Sequence, residues 1–385
     1  MKKPSPLVSI VMPCLNEEET LGICIERSKA VLKDNAIDGE IIVCDNGSTD
    51  RSVEIARSLG AKVVHEPEKG YGNAYLKGFS EARGEYFVMI DADNTYDFSQ
   101  IPVFIEKLEK ECYDFVTGKR ILNSPGTGAM SSSHFFGNKI LTFLLNIFFG
   151  TNYTDVYCGF RAFSRGAYDR IKPVSEGMEF NLEIAINAAK DHLRIIEIPT
   201  SLSPRKGQSK LRTFYDGWRS LRLMILYAPN KTFVLPGSLA GITGLILHAL
   251  SMAGVFNKPV SSGNSISGIA GMILSILGLH ILSLGLYTKT YSLSRKFERK
   301  NQFLVNFYST FKLEHGMTLG SLLLAGGIIS FLLLIPRLSA MNFESVLPGM
   351  LFSSTIIISG VTIIFSSLFI SAMSLGGNQI VKKGT

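Results

Sequence analysis

The sequence predicts an α/β domain with a mainly parallel sheet, followed by an all-α membrane domain of four transmembrane helices. Short β-branched runs alternate with helical periodicity over residues 7–93. Four charge-free runs follow Lys231, each longer than the ~20 residues that cross a bilayer as a helix. Charge divides in the same way. Residues 1–231 hold 29 basic and 29 acidic side chains, while residues 232–385 hold 10 and 3, so the formal net charge of +7 belongs to the second part. So low a charge density excludes an ordinary soluble domain there, and the apolarity excludes disorder.

In the first part, residues 7–13 are a short strand-like run and residues 18–32 recur at helical spacing. Residues 40–44 predict a second strand, followed by the turn Asp45-Asn46-Gly47-Ser48-Thr49-Asp50 and a helix to about residue 59. Residues 62–65 predict a third strand, residues 69–81 a glycine-led helix, and residues 86–90 a fourth strand ending at Asp91-Ala92-Asp93. Such alternation implies a mainly parallel sheet covered by helices, with ligands outside the C-terminal strand ends. The conspicuous polar residues fall there. Residues 140–149 are very apolar but too short to span, and read as a core or a membrane-surface helix.

Phe214, Trp218, Leu221, Met224 and Ile225 recur at helical spacing. They predict an interfacial amphipathic helix over about 212–228, with a core helix as the competing reading of its first turn. The expected domains are 1–230 and 231–385, with spans near 233–255, 265–287, 316–335 and 349–373. The connection after the second span carries Lys289, Arg295, Lys296, Arg299, Lys300 and Lys312, against single basic residues, Lys258 and Arg337, in the other two. This asymmetry predicts a multi-pass protein of the plasma membrane with residues 1–231, the 288–315 connection and both termini in the cytoplasm. No signal peptide is expected, because residues 1–6 lead straight into a strand. The five cysteines form no C-x-x-C pair, so neither a disulfide nor a zinc site is expected. The lone His134 and His280 are not read as ligands.

Asp91-Ala92-Asp93 places two carboxylates just after an apolar strand, and both can reach one hard cation such as Mg²⁺ or Mn²⁺. A cation so held can bridge a nucleotide diphosphate and stabilise it as a leaving group. The bland reading is a polar strand end. Asp45 could accept hydrogen bonds from a base edge, and the loop Pro13-Cys14-Leu15-Asn16-Glu17-Glu18 could border the nucleotide. A helix N-cap is the alternative for Asn16, and a plain turn for residues 45–50. Lys69-Gly70-Tyr71-Gly72-Asn73 suits close backbone approach to a phosphate, but matches no dinucleotide or Walker motif and is equally a glycine-rich turn.

In this order the motifs resemble family 2 glycosyltransferases of the GT-A fold. The resemblance rests on Pro13-x-Leu15-Asn16-Glu17-Glu18, Asp45-x-Gly47-Ser48-Thr49-Asp50, Lys69-Gly70-x-Gly72-x-Ala74 and Asp91-x-Asp93. Asp155, Cys158-Gly159-Phe160-Arg161-Ala162-Phe163 and Arg205-x-Gly207-x-Ser209-Lys210 resemble its polyprenyl-phosphate branch, which includes dolichyl-phosphate mannose and glucose synthases and bacterial undecaprenyl-phosphate relatives. The resemblance covers about residues 7–230. It implies that Pro13, Leu15, Asn16, Glu17, Asp45, Lys69, Gly70, Ala92 and Lys210 bind the sugar nucleotide, and that Asp91 and Asp93 hold the metal. It further implies Lys119, Arg120, Arg161 and Ser209 for the lipid phosphate, with Asp93, Asp155 and Arg205 as catalytic residues. Asp155 matches a position some members are thought to use as base, and is kept as a candidate for orienting the acceptor. Some members carry a glutamine two residues after the second aspartate, where this chain has Thr95, and an arginine near the place of His134.

The basic cluster makes sense on charge alone. Residues 200–231 hold seven basic side chains and one acid, whereas residues 1–199 hold 22 and 28. A sugar nucleotide and a lipid monophosphate share a site only if their charges are offset by metal, guanidinium and ammonium groups. Attraction of the cluster to anionic lipid is the competing role. Arg205 and Lys210 are accordingly assigned to the site and Arg219 and Arg222 to the surface, while Glu179 is assigned to a solvated helix face in preference to a role beside Asp155. A phosphate monoester is largely ionised near neutral pH, so it needs positioning more than a strong base.

The expected reaction is inverting hexose transfer from a nucleotide sugar, UDP-glucose before GDP-mannose, to a membrane polyprenyl phosphate. The partners are these two substrates and the membrane, without nucleic acid, and a homo-oligomer is compatible. A processive polysaccharide synthase is disfavoured because Gln208-Ser209-Lys210-Leu211-Arg212 lacks the Q-x-x-R-W spacing. A non-enzymatic partner or flippase is disfavoured by the intact Asp91/Asp93 pair with Arg205 and Lys210.

Overall fold

The computed structural model describes residues 5–120, 132–203, 213–256, 263–294, 313–340 and 343–375. It divides into two compact units, Met1–Met224 and Ile225–Thr385.

The first unit is built on a seven-stranded sheet of order β3-β2-β1-β4-β6-β5-β7. Its strands are β1 (Val8–Cys14), β2 (Gly39–Asp45), β3 (Lys62–His65), β4 (Tyr86–Met89), β5 (Phe115–Arg120), β6 (Arg161–Ser164) and β7 (Ile195–Thr200). All neighbours pair in parallel except β6, which runs antiparallel to β4 and β5. The first four strands lie where the sequence predicts them. Fully buried Val8, Ile10, Val11 and Met12 explain why β1 shows as a nearly unbroken apolar run.

The helices of this unit are α1 (Leu21–Asp34), α2 (Ser52–Ser58), α3 (Tyr71–Glu81), α4 (Ile101–Glu109), α5 (Ser132–Phe149), α6 (Arg165–Ile171), α7 (Phe180–Lys190) and α8 (Thr213–Tyr227), the last running on three residues beyond its boundary. Two apolar clusters flank the sheet. One packs α1 and α4 against Ile10, Met12 and Val43, and the other packs α3 and α7 against Val11, Phe87 and Phe163. Gly78 lets α3 lie directly on β1 and β2, since a Cβ there would meet Cys44 Sγ at 2.3 Å and Val11 Cγ1 at 2.5 Å. In the second cluster Tyr75, Phe79, Phe87, Phe163 and Phe180 form ring-on-ring contacts.

α5 begins earlier than its apolar run suggests, and it is two-faced. Leu145 and Thr142 are buried, while Phe136, Ile140, Phe143 and Ile147 are 51–63% exposed in one stripe. The exposed stripe rules out a core role for that face. In α8, Tyr215 and Trp218 are exposed, whereas Leu223, Met224 and Tyr227 are buried. Met224 therefore leaves the interfacial face to which its spacing assigned it.

The second unit is helical. Four stretches, Asn230–Met252, Gly263–Leu293, Leu313–Leu338 and Phe343–Met373, are long and apolar enough to cross a membrane. They comprise α9 (Leu235–Met252), led by a π-turn at Asn230–Val234, then α10 (Gly263–Ser294), α11 (Leu313–Ala340) and α12 (Phe343–Leu375). Small residues bring them together: a Cβ at Gly278 of α10 would sit 2.4 Å from the Gly241 nitrogen of α9. A Cβ at Gly360 of α12 would likewise sit 2.7 Å from the Gly320 carbonyl of α11. His248 of α9 meets Thr355 Oγ1 of α12 at 3.0 Å, which satisfies a polar group inside the bundle.

Candidate active site

β1 lies between β2 and β4, with Cys14 opposite Asp45 and Val11 opposite Met89. The register therefore sets the loop after Cys14, the turn after Asp45 and Asp91-Ala92-Asp93 at one end of the sheet. Asn16 adopts φ +52°; its N–H donates to Ser48 Oγ at 3.0 Å, and its Oδ1 accepts from Thr49 N–H at 2.8 Å. Glu17 N–H donates to Ser52 Oγ and Glu18 N–H to Asp50 Oδ2. Asn16 is thus no helix cap; Thr20 holds that position before α1. It locks the first loop to the second. Cys14, buried beneath this junction, has its thiol pushed up to about 11 by burial, so it offers no anion at neutral pH.

Asp45 is 4% exposed and accepts from Ser48 N–H at 3.0 Å and His65 Nδ1 at 3.0 Å. Burial opposes its ionisation, but the hydrogen bonds from Ser48, His65 and Gly47 outweigh it and hold the carboxyl below its ordinary range. Asn46, which sequence reasoning passed over as a turn former, uses its whole amide. Its Nδ2 donates to the Glu66 and Glu68 carbonyls and its Oδ1 accepts from Gly70 N–H at 2.7 Å. This bridge fixes the exposed Lys69 loop beside Gly47, where a Cβ would come 3.8 Å from Lys69 Cε.

Asp91 is aimed by two phenols. Tyr71 Oη and Tyr75 Oη donate to its Oδ1 at 2.9 and 3.3 Å. Burial, and for Tyr71 next the Asp91 charge, push both phenols well above their ordinary value, so both remain donors at neutral pH. Gly159 lies over the other oxygen: a Cβ there would stand 2.6 Å from Asp91 Oδ2. Its N–H is fixed by Tyr96 Oη at 2.7 Å. Asp93 Oδ1 accepts from the Thr95 N–H at 3.1 Å and its hydroxyl at 2.6 Å. Thr95 therefore orients Asp93. Thr20 Oγ1 donates to the Ala92 carbonyl at 2.8 Å, tying α1 to the same loop.

Two half-buried carboxylates one residue apart, with oxygen donors only, fit a hard divalent cation. Among the described residues no group of three or more His, Cys, Asp or Glu could hold a metal. Asp91 and Asp93 would leave most of an octahedral shell to diphosphate and water, the arrangement Mg²⁺ favours.

Arg161 and Arg120, expected at the lipid phosphate, and Asp155, expected among the catalytic residues, are engaged within the fold. Arg161 is 1% exposed, and its guanidinium donates to the carbonyls of Cys158, Val156 and Asn181, so it ties residues 156–158 to α7 from a buried position, away from where a lipid phosphate was expected. Asp155 and Arg120 form a bidentate pair at 2.6 and 2.7 Å, and Asn138 of α5 donates to Asp155 at 2.9 Å. Burial opposes ionisation of Asp155, but Arg120 outweighs it and the carboxyl lies below its usual range. Asp155 is the buried counter-ion of Arg120. Lys119 is exposed beside it. Pro13, Leu15 and Glu17 are half-buried at the end of β1. Arg205, Ser209 and Lys210 lie outside the described residues.

Asn181, Tyr71 and Tyr75 were not singled out by sequence reasoning. Asn181 Nδ2 donates to Tyr71 Oη at 3.3 Å across 110 residues, and Asn181 Oδ1 is buried with no partner among the described residues. Glu179 is also not on a solvated face. It pairs with Arg219 at 2.5 Å.

Residues 9–172 match Glycosyl transferase family 2, and residues 286–374 match the Glycosyltransferase family 2 C-terminal transmembrane region. Over 333 residues the chain is 37% identical to the low-salt glycan biosynthesis hexosyltransferase Agl6 of Haloferax volcanii, covering 85% of this chain and 80% of that protein. The chain belongs to glycosyl transferase family 2. The dolichyl-phosphate hexose transferase of the same organism is 31% identical over 54% of this chain and 89% of its own. Glucosyl-3-phosphoglycerate synthase from Mycobacterium tuberculosis, solved with Mn²⁺, UDP and phosphoglyceric acid, is 22% identical with a TM-score of 0.47, over 57% of this chain and 76% of that one. This family 2 glycosyltransferase is thus a membrane protein whose GT-A-like domain carries the expected motifs at one end of the sheet. The first family region stops at residue 172, short of Glu179 and Asn181.

Proposed function

We propose that this glycosyltransferase moves a hexose, from UDP-glucose in the first instance, to a membrane polyprenyl phosphate with inversion at the sugar C1. The observation that carries the reading is the Asp91/Asp93 pair, aimed by Tyr71, Tyr75 and Thr95 at the end of β4 in a chain that continues into four spans. The name of the 31% identical relative, a dolichyl-phosphate hexose transferase, supports the acceptor class.

Asp91 and Asp93 would hold Mg²⁺ or Mn²⁺, which supplies charge stabilisation to the departing nucleoside diphosphate. Asp45 and the Asn16–Ser48 junction border the nucleoside, and the Lys69-Gly70 backbone approaches its phosphates. A phosphate oxygen of the lipid attacks C1, the bond from C1 to the diphosphate oxygen breaks, and the electron pair leaves with the nucleoside diphosphate. The ionised acceptor has no proton to lose, which agrees with Asp155 being occupied by Arg120. Arg205 and Lys210 offset the phosphate charges. Residues 1–231 and both termini face the cytoplasm of a plasma-membrane protein, and the exposed stripe of α5 rests on the bilayer surface.

The test is incubation of the purified protein with radiolabelled UDP-glucose or GDP-mannose and polyprenyl phosphate, followed by solvent extraction. Label in a mild-acid-labile lipid is expected, from UDP-glucose. Label from GDP-mannose replaces the donor, label in polymer marks a processive synthase, and no label in either removes the proposal.

A further inference from the structure

The helix that precedes the first span reaches the edge of the site through one ion pair. Arg219 of α8 donates to Glu179 Oε1 at 2.5 Å, with the two side chains 30% and 13% exposed. Gly177 lies against this pair, since a Cβ there would sit 2.6 Å from Glu179 Oε2 and 2.8 Å from Arg219 Nη2. Glu179 stands at the N-cap position of α7, and from that point two routes run to the donor side. Along one, the backbone of residues 175–176 fills the hollow left by Gly70 and Gly72, where a Cβ would come within 2.2 Å of the Glu176 carbonyl and 2.1 Å of the Ser175 carbonyl. The Glu176 carbonyl also accepts from Asn73 N–H at 3.1 Å, and Glu183 Oε2 holds the Val174 and Ser175 N–H groups. Along the other, Asn181 donates to Tyr71, and Tyr71 donates to Asp91.

We propose that the Arg219–Glu179 pair is a positioning device for the donor half of the site, setting the start of α7 so that Asn181 and Tyr71 aim Asp91 and residues 175–176 support the Lys69-Gly70 loop. The inference rests on the proposed cation at Asp91. Its place in sequence, eleven residues before Asn230 opens the first span, makes Arg219 the means by which the membrane-proximal helix registers on cation and diphosphate binding. Outer partners of metal ligands are worth about 10–100-fold in affinity when removed. Arg219 acts through three further groups, so the lower end applies.

The experiment is Mn²⁺ binding to the full-length protein in detergent, read by the electron paramagnetic resonance of free Mn²⁺ with UDP present. Wild type, Arg219→Met, Arg219→Lys, Glu179→Gln and Asp91→Asn are compared. Arg219→Met and Glu179→Gln should bind Mn²⁺ about tenfold more weakly, Arg219→Lys should recover part of the loss, and KM for polyprenyl phosphate should stay unchanged. Wild-type Mn²⁺ affinity in Arg219→Met, with or without a lowered thermal midpoint, overturns the inference while leaving the site intact. If Arg219→Met does not fold, Glu179→Gln tests the same link, and wild-type affinity there is equally fatal. Absence of Mn²⁺ binding by wild type removes the proposed function together with this inference.

Discussion

Asp155 illustrates how a residue type can mark the right region and the wrong role. Its carboxyl is read as a candidate for orienting the acceptor, yet Arg120 holds both oxygens and Asn138 a third bond. The folded carboxyl titrates below its unfolded value of about 3.9. The unfolded chain therefore binds more protons there, so the pair contributes stability above about pH 3.9 that is lost as pH falls through the folded value. Asp155→Asn leaves Arg120 buried without its counter-charge and should cost about 3–5 kcal/mol at pH 7, with a flatter acid limb in circular dichroism. Equal stability at pH 7 would return Asp155 to the list of reactive groups. Asp91 and Asp93 were legible because two carboxylates after an apolar strand are a local pattern. Asn181, 110 residues from Tyr71, left no local signal, and Arg161 read as a ligand because its burial among carbonyls depends on the fold.

Among elements, β1 to β4 were legible for a physical reason: parallel strands covered on both faces show as β-branched runs. β5 and β6 were not, since Phe115–Arg120 contains Gly118, Lys119 and Arg120, and β6 is only four residues long and opens with an arginine. The apolar run at 140–149 announced α5 but not its orientation. Thr142 and Leu145 face the body while Phe136, Ile140, Phe143 and Ile147 face out. Fully burying one such side chain is worth about 1.5–3 kcal/mol, and a bilayer surface recovers part of that. Phe143→Ser should leave the thermal midpoint within a few degrees and raise KM for polyprenyl phosphate in vesicles severalfold, with KM for the nucleotide sugar unchanged. An unchanged acceptor KM would remove α5 from the membrane surface.

At the scale of the molecule, composition alone separated a balanced first part from a cationic, apolar second part, and the second part holds four long apolar helices. Helix ends were less legible, because apolar length does not say where hydrogen bonding stops: α10 and α12 run 32 and 33 residues. The basic connection at 295–312 and the Arg205–Lys210 cluster lie outside the described residues. What the molecule is proposed to do depends on one cation between two aspartates. Its most direct test is UDP release by the full-length protein with UDP-glucose and polyprenyl phosphate, titrated with Mn²⁺ or Mg²⁺, in wild type and Asp93→Ala. The account predicts metal-dependent release that falls at least about 100-fold in a folded Asp93→Ala. Metal-independent release, or equal turnover in the two proteins, would contradict it.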